Sequence, residues 1–230
     1  MTARIKAALL VALVFQLLWH GMAAREGAGA QALQDPPSLI ELRLASLGES
    51  VMASRLTMLY LQSFDIQPGI IIPYRDLDYK KVEDWLEVSQ DLDERDAYPL
   101  FAASGLYLEV NDPGRKRRML DFIYREFLKN PEARWPWLAR GVLAAKYGLH
   151  DLPLAFNYAE ALGKAANAPA WAREMPVFLL EDMNEFESAK IWLGGLLVGG
   201  KIKDGNEILF LKKELENLEN REQKKPSMLW

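Results

Sequence analysis

Three groupings in this 230-residue chain hold residue types that could do chemistry. His150 and Asp151 stand side by side, as a base and its orienting acid would. Glu181, Asp182, Glu185 and Glu187 crowd one turn, where neighbouring carboxylates could share acid and base work. The stretch "PYRDLDY" sets Tyr74, Arg75, Asp76 and Asp78 close together, a set able to hold a cation or polarise a substrate. Each grouping also has a plainer local reading, and that reading is preferred. Asp151 is a natural N-cap with His150 in the turn before it. The acids at 181–187 sit near a helix start, where the helix dipole favours negative charge. Asp76 and Asp78 are turn and cap residues.

Other chemistries are excluded by what is missing. The chain has 0 Cys and 2 His, His20 and His150. That removes disulfides, thiolate catalysis and cysteine-ligated metals, and it leaves too few imidazoles for a multi-histidine site. There is no phosphate-binding G-x-x-x-x-G-K-[ST], no H-E-x-x-H and no G-x-S-x-G. The glycines of "LGGLLVGGK" read as helix packing and a C-cap. No cofactor and no metal are expected.

Charge narrows the partners. A net charge of −4 and a pI near 5.4 argue against nucleic acid. The one basic run is "RKRR", Arg115 to Arg118. Four cations at a helix start oppose its dipole. Either acids such as Asp112 and Asp121 offset them, or Arg115, Arg117 and Arg118 dock on lipid headgroups or an acidic partner.

Stepping outward to the elements, residues 1–24 begin with Arg4 and Lys6 and then run from Ala7 to Ala24 without an ionised side chain. Eighteen residues make about 27 Å of helix at ~1.5 Å per residue, between a long signal peptide and a short membrane span. The basic flank predicts an inner-membrane, single-pass topology with everything downstream in the periplasm. The alternative is cleavage at Ala24, Ala30 or Ala32, giving a soluble periplasmic protein. Residues 25–37, "REGAGAQALQDPP", read as a flexible tether. A helical body over 38–222 and a tail over 223–230 follow.

The body's apolar spacing is helical almost throughout. Leu39, Leu42 and Leu44 to Leu47 form one stripe, Gly48 a break, and Val51, Leu56, Leu59 and Tyr60 a second stripe. "DIQPGIIIPYRDLDY" reads as an extended loop rather than sheet. Predicted helices then cover Lys80–Leu92, Pro99–Val110, Pro113–Lys129, Pro136–Tyr147, Asp151–Ala166, Pro169–Met183, 184–198 and Asn206–Glu222. Proline suits a first helical turn, so Pro99 and Pro136 are read as helix starts and Pro176 as a kink inside a helix begun at Pro169. Equivalent points in the second helix of successive pairs are Val82, Met119, Ala155 and Ala189, separated by 37, 36 and 34 residues.

That period, with Ala155 at a small crossing position, Tyr158 and Leu162 in the following turns and Pro131 closing a unit, resembles the tetratricopeptide repeat family over about residues 78–200. The chain as a whole is similar to an uncharacterised type of anchored helical protein of Gram-negative envelopes. The resemblance implies an all-α, right-handed stack of antiparallel helix pairs, an α-solenoid. It also implies a non-catalytic scaffold for a peptide or partner subunit, with the membrane as a second partner through the leader. Helix phase offers Tyr107, Arg140, Lys146 and Tyr147 as contact residues. Trp135, Trp137, Trp171 and Trp192 are assigned to packing between repeats. The rival is an envelope enzyme or accessory subunit with a site in the 73–78 loop. A third reading is a structural piece of a larger membrane complex.

Overall fold

The computed structural model describes residues 2–22, 29–199 and 204–223, and in the leader helix the side chains of residues 9–19. The expected tail beyond Gln223, the closing residues 200–203 and the cleavage point at Ala24 lie outside the described residues. The chain is all-helical apart from one two-stranded ribbon. After a leader helix α1 (Thr2–Met22) come α2 (Leu39–Ala45), α3 (Ser50–Ser63), β1 (Ile66–Gln67), β2 (Ile70–Ile71), α4 (Tyr79–Leu92) and α5 (Tyr98–Gly105). The remainder is α6 (Pro113–Lys129), α7 (Pro131–Leu143), α8 (Leu152–Gly163), α9 (Ala170–Asp182), α10 (Phe186–Val198) and α11 (Gly205–Gln223). Consecutive helices from α2 to α11 pack on one another, and among the described residues α1 packs substantially on none of them.

Local chemistry explains most helix starts. Ser38 and Glu41 make a reciprocal capping box on α2. Asp78, Asp112 and Asp151 cap α4, α6 and α8 by accepting backbone N–H groups. Pro113 opens α6 at its first position. At the end of α2 the chain turns through Leu47 (φ 54) and Gly48 (φ 88). The Gly48 N–H donates to the Arg43 carbonyl at 2.9 Å and the Leu47 N–H to the Leu44 carbonyl at 3.1 Å, the two bonds of a Schellman motif.

Four expectations are corrected. Pro136 does not start a helix: Asn130 caps α7 and Pro131 opens it, so Pro136 lies inside. Its missing N–H forgoes the bond to the Glu132 carbonyl. Pro131 therefore opens a unit rather than closing one. The helix from Pro99 stops at Gly105 and gives way to a tight turn at Tyr107–Glu109. The loop after α3 is a minimal antiparallel ribbon, Ile66 opposite Ile71, turned at Pro68-Gly69 with Gly69 at φ 79.

The fourth correction concerns the tether. Residues 30–35 are strapped onto the body. Leu33 is buried in the main core. Gln31 and Gln67 clasp each other, backbone to side-chain amide, at 2.8 and 3.0 Å. The Trp85 indole donates to the Gln34 carbonyl at 2.8 Å, and Asp35 meets Lys81 at 3.4 Å. One apolar side chain and three polar contacts overcome a composition that reads as loose.

In α1 the described side chains, Leu9 to Trp19, are all exposed. Among the described residues no helix is long and apolar enough to cross a membrane. The expected span is therefore not supported by the described part of the leader.

Repetition is written into the contacts. Ser54 meets Ser89, Glu83 meets Arg118, Arg117 meets Asp151, Asp121 meets Tyr158, and Lys146 meets Asp182. Ring pairs do the same: Phe101 with Trp137, Tyr124 with Tyr158, Trp135 with Trp171, and Phe156 with Trp192. Every one of these pairs lies 34 to 37 residues apart. Each unit thus touches the equivalent place one unit on, as a stacked α-solenoid requires. The four register points Val82, Met119, Ala155 and Ala189 are all 0 % exposed. A main core runs from Leu33 to Leu179, and a smaller one joins Val177, Leu180, Ala189 and Leu193 to Leu211 and Leu218 of α11.

Candidate functional site

Beyond Leu143, α7 does not simply stop. Ala144–Gly148 continue as one wide π-turn, in which the Leu149 N–H reaches the Ala144 carbonyl at 3.1 Å. This turn, the end of α5 and the start of α6 enclose a cleft of about 360 Å³. Its wall carries Lys116, Arg140, Tyr147 and Glu109, with Leu108 and Leu143 as apolar lining.

Two glycines make room for the two cations. A Cβ on Gly148 would stand 3.2 Å from the Lys116 ammonium, and one on Gly105 would stand 3.3 Å from the Arg140 guanidinium. Tyr147 is 64 % exposed and is steadied from behind by the Lys146 ammonium, 4.8 Å from its ring centre. Lys146 itself reaches back to Asp182 on α9. That bond to Asp182 is the main reason its ammonium titrates above the usual lysine range.

The neighbouring cations are already committed. Arg117 pairs with Asp151 at 2.9 Å and Asp121 at 3.6 Å. Arg118 and Arg125 share Glu83 at 2.8 and 2.6 Å. Arg134 meets Glu126 at 2.7 Å, and Lys129 meets the same carboxylate at 2.6 Å. Arg115 lies over the Tyr79 ring at 5.5 Å. Lys116 and Arg140 have no carboxylate partner among the described residues, and they share one cleft. Two such cations beside an exposed phenol fit a carboxylate or another small anion.

The expected contact residues thus divide. Arg140 and Tyr147 come together in the cleft, and Lys146 supports it. Arg115, Arg117 and Arg118 make local contacts, the first of the two alternatives, and stand outside the cleft; the cation of that run that lines the cleft is Lys116. Tyr107 is corrected too. It is 0 % exposed, with Tyr74 and Tyr79 edge-on at 5.9 and 6.2 Å, and cannot touch a partner. The Tyr79 hydroxyl donates to the Tyr107 carbonyl at 3.0 Å, and burial pushes its pKa up to about 12.

The other chemical groupings resolve into structure. Asp151 caps α8, and His150 occupies the turn at φ 55. Asp182, Glu181 and Glu187 each meet a cation: Lys146, Arg221 and Lys190. Asp76 and Asp78 line a second cleft, of about 410 Å³, with the strap and Lys81, but the Asp78 carboxylate is engaged as the α4 cap. Tyr74 and Arg75 are not part of that lining. The tryptophans pack between repeats, as the ring pairs above record. Comparison with known protein families, with curated proteins and with solved structures returns no match to this chain.

Proposed function

We propose that the chain is a non-catalytic binding scaffold of the bacterial envelope. Its helix pairs form a right-handed stack of the tetratricopeptide class, and its cleft holds an acidic segment of a peptide or partner subunit. One observation carries this reading. In a region where Arg117, Arg118, Arg125, Lys129, Arg134 and Lys146 all have carboxylates, Lys116 and Arg140 have none and face the same opening. A partner's carboxylate would complete the pattern, with Tyr147 as the aromatic anchor. The apolar run from Ala7 to Ala24 supports delivery to the inner membrane, with the body in the periplasm and the leader retained as a single-pass anchor.

A photo-crosslinking residue in place of Tyr147, in cells expressing the full chain, is expected to join a stoichiometric partner. The double change Lys116→Glu and Arg140→Glu is expected to abolish that adduct while leaving the fold intact. An adduct that survives the double change would remove the cleft from the reading. Intact mass in the inner-membrane fraction, with the body accessible from the periplasm, tests the anchor; loss of about 24 to 32 residues would indicate cleavage instead.

A further inference from the structure

Helix α3 carries apolar side chains on both faces. Its hidden face carries Ala53, Ser54, Thr57, Met58 and Leu61, and two of those are hydroxyl residues. The Ser54 hydroxyl is held at 2.9 Å by Ser89, which draws α3 close to α4. Its open face carries apolar side chains too: Met52, Leu56 and Leu59 are 50, 55 and 61 % exposed. Helix α2 continues this face with Ile40 and Leu44, 71 and 72 % exposed. Between them lies an apolar groove of about 260 Å³, closed at one side by Tyr60 and Trp85.

Leu47 sharpens the point. It occupies the left-handed position of the Schellman motif, at φ 54, where glycine is usual and a side chain is strained. It is also 94 % exposed. The chain thus keeps a strained leucine in water at the corner of an already apolar face. The two Schellman hydrogen bonds hold that backbone turn; the exposed side chain takes no part in them.

We infer that the α2–α3 face is a lipid-docking surface, which lies on the membrane interface beside the leader. The inference rests on the reading that the leader holds the chain at a membrane. Chain length then selects the occupant. Only residues 23–28 separate the leader helix from the strap, so Met22 and Gly29 are at most about 25 Å apart at ~3.6 Å per residue. The strap ends against this same face: the Gln34 carbonyl holds Trp85, and Trp85 packs on Tyr60 at 4.7 Å across the groove wall. Whatever bilayer receives the leader therefore lies within reach of Leu47 and its neighbours. Arg43 and Arg55, on the same two helices, have no carboxylate partner among the described residues and suit anionic headgroups. Apolar side chains interrupted by lone cations describe an interfacial helix better than a protein joint, whose cations would be matched.

The absence of native cysteine makes the test direct. Full-length chains with single changes Leu47→Cys, Leu56→Cys, Tyr147→Cys and Phe15→Cys are spin-labelled and placed in phosphatidylethanolamine–phosphatidylglycerol vesicles. Each label is then challenged with oxygen, which concentrates in lipid, and with a water-soluble nickel chelate. Labels at 47 and 56 are expected to favour oxygen, as at 15, while the label at 147 favours nickel. In the Leu47→Gly background, where glycine suits the backbone and the fold is kept, the label at 56 is expected to shift toward nickel. A nickel-accessible 47 with a lipid-exposed 15 overturns the docking face and leaves the anchor standing. A nickel-accessible 15 overturns the anchor reading and this inference with it. Shielding of 47 with spin–spin broadening between chains assigns the face to a second copy, and shielding only in the presence of another protein assigns it to that partner; either result overturns the lipid assignment.

Discussion

Glu83 in the middle of the stack receives two arginines, Arg118 and Arg125, whereas Glu174 near its C-terminal end, on α9, is influenced by Glu207 of α11. The contrast extends to their neighbours. Glu126 is matched by buried Arg134 and by Lys129. Glu181 is half-buried near Glu214, with Arg221 as its cation, and one oxygen on each of Glu174, Glu181 and Glu207 has no hydrogen-bond partner among the described residues. Burial first, and the neighbouring carboxylate second, push Glu174 and Glu181 above the ordinary carboxylate range. The middle of the stack is held by charge pairs that are complete at neutral pH. The docking of α11 rests on a small apolar core, on the Arg221–Glu181 pair and on carboxyls held above their ordinary range. One chain therefore contains a fixed region and a conditional one.

Breaking the fixed region should have the largest effect. Arg134→Ala removes the buried cation of Glu126, leaving it only the half-exposed Lys129, and is expected to cost about 3 kcal/mol, read by denaturant unfolding. A cost below about 1 kcal/mol would put the middle and the end on the same footing. Next, Leu218→Ala is expected to remove roughly 2–3 kcal/mol from the docking of α11. Hydrogen exchange should show that loss in α11 and leave α6 and α7 protected. Smaller again is the pH response. The raised acids favour the docked helix most fully below their ordinary pKa, about 4.3, and that contribution fades as pH rises through their raised values. Amides of α11 should thus exchange faster at pH 8 than simple base catalysis predicts, and Glu174→Gln should reduce the excess. The smallest effect belongs to Arg118→Ala. Arg118 is partly exposed and shares Glu83 with Arg125, so its loss is expected to cost less than about 1 kcal/mol.

Much of the stack was legible because its rules are local or periodic. Asp78 and Asp151 announce their caps by residue type, and the Val82–Ala189 register picked four fully buried positions. Pro136 misled because a proline marks a helix start only if nothing starts one earlier, and Asn130-Pro131 does. The second stripe, with Val51, Leu56 and Leu59, was visible, but apolar spacing does not say whether a stripe faces core or solvent. In "RKRR" the four side chains point about 100° apart around α6, so composition could not separate them. The period could have. One unit away, Arg118 finds Glu83, Arg117 finds Asp151 and Arg115 finds Tyr79. The same offsets from Lys116 land on Lys80 and His150, neither of which is a carboxylate.

The strap has a mechanical consequence. A pull on the leader would reach the body first through the Gln31–Gln67 clasp, then through Leu33 seated in the core, and only afterwards through Trp85 and the start of α2. The load enters at the first unit and passes inward by side-chain contacts rather than by peeling helices from an end. Tension from a moving anchor would be borne by those few residues, leaving the later units, and the cleft they form, slack.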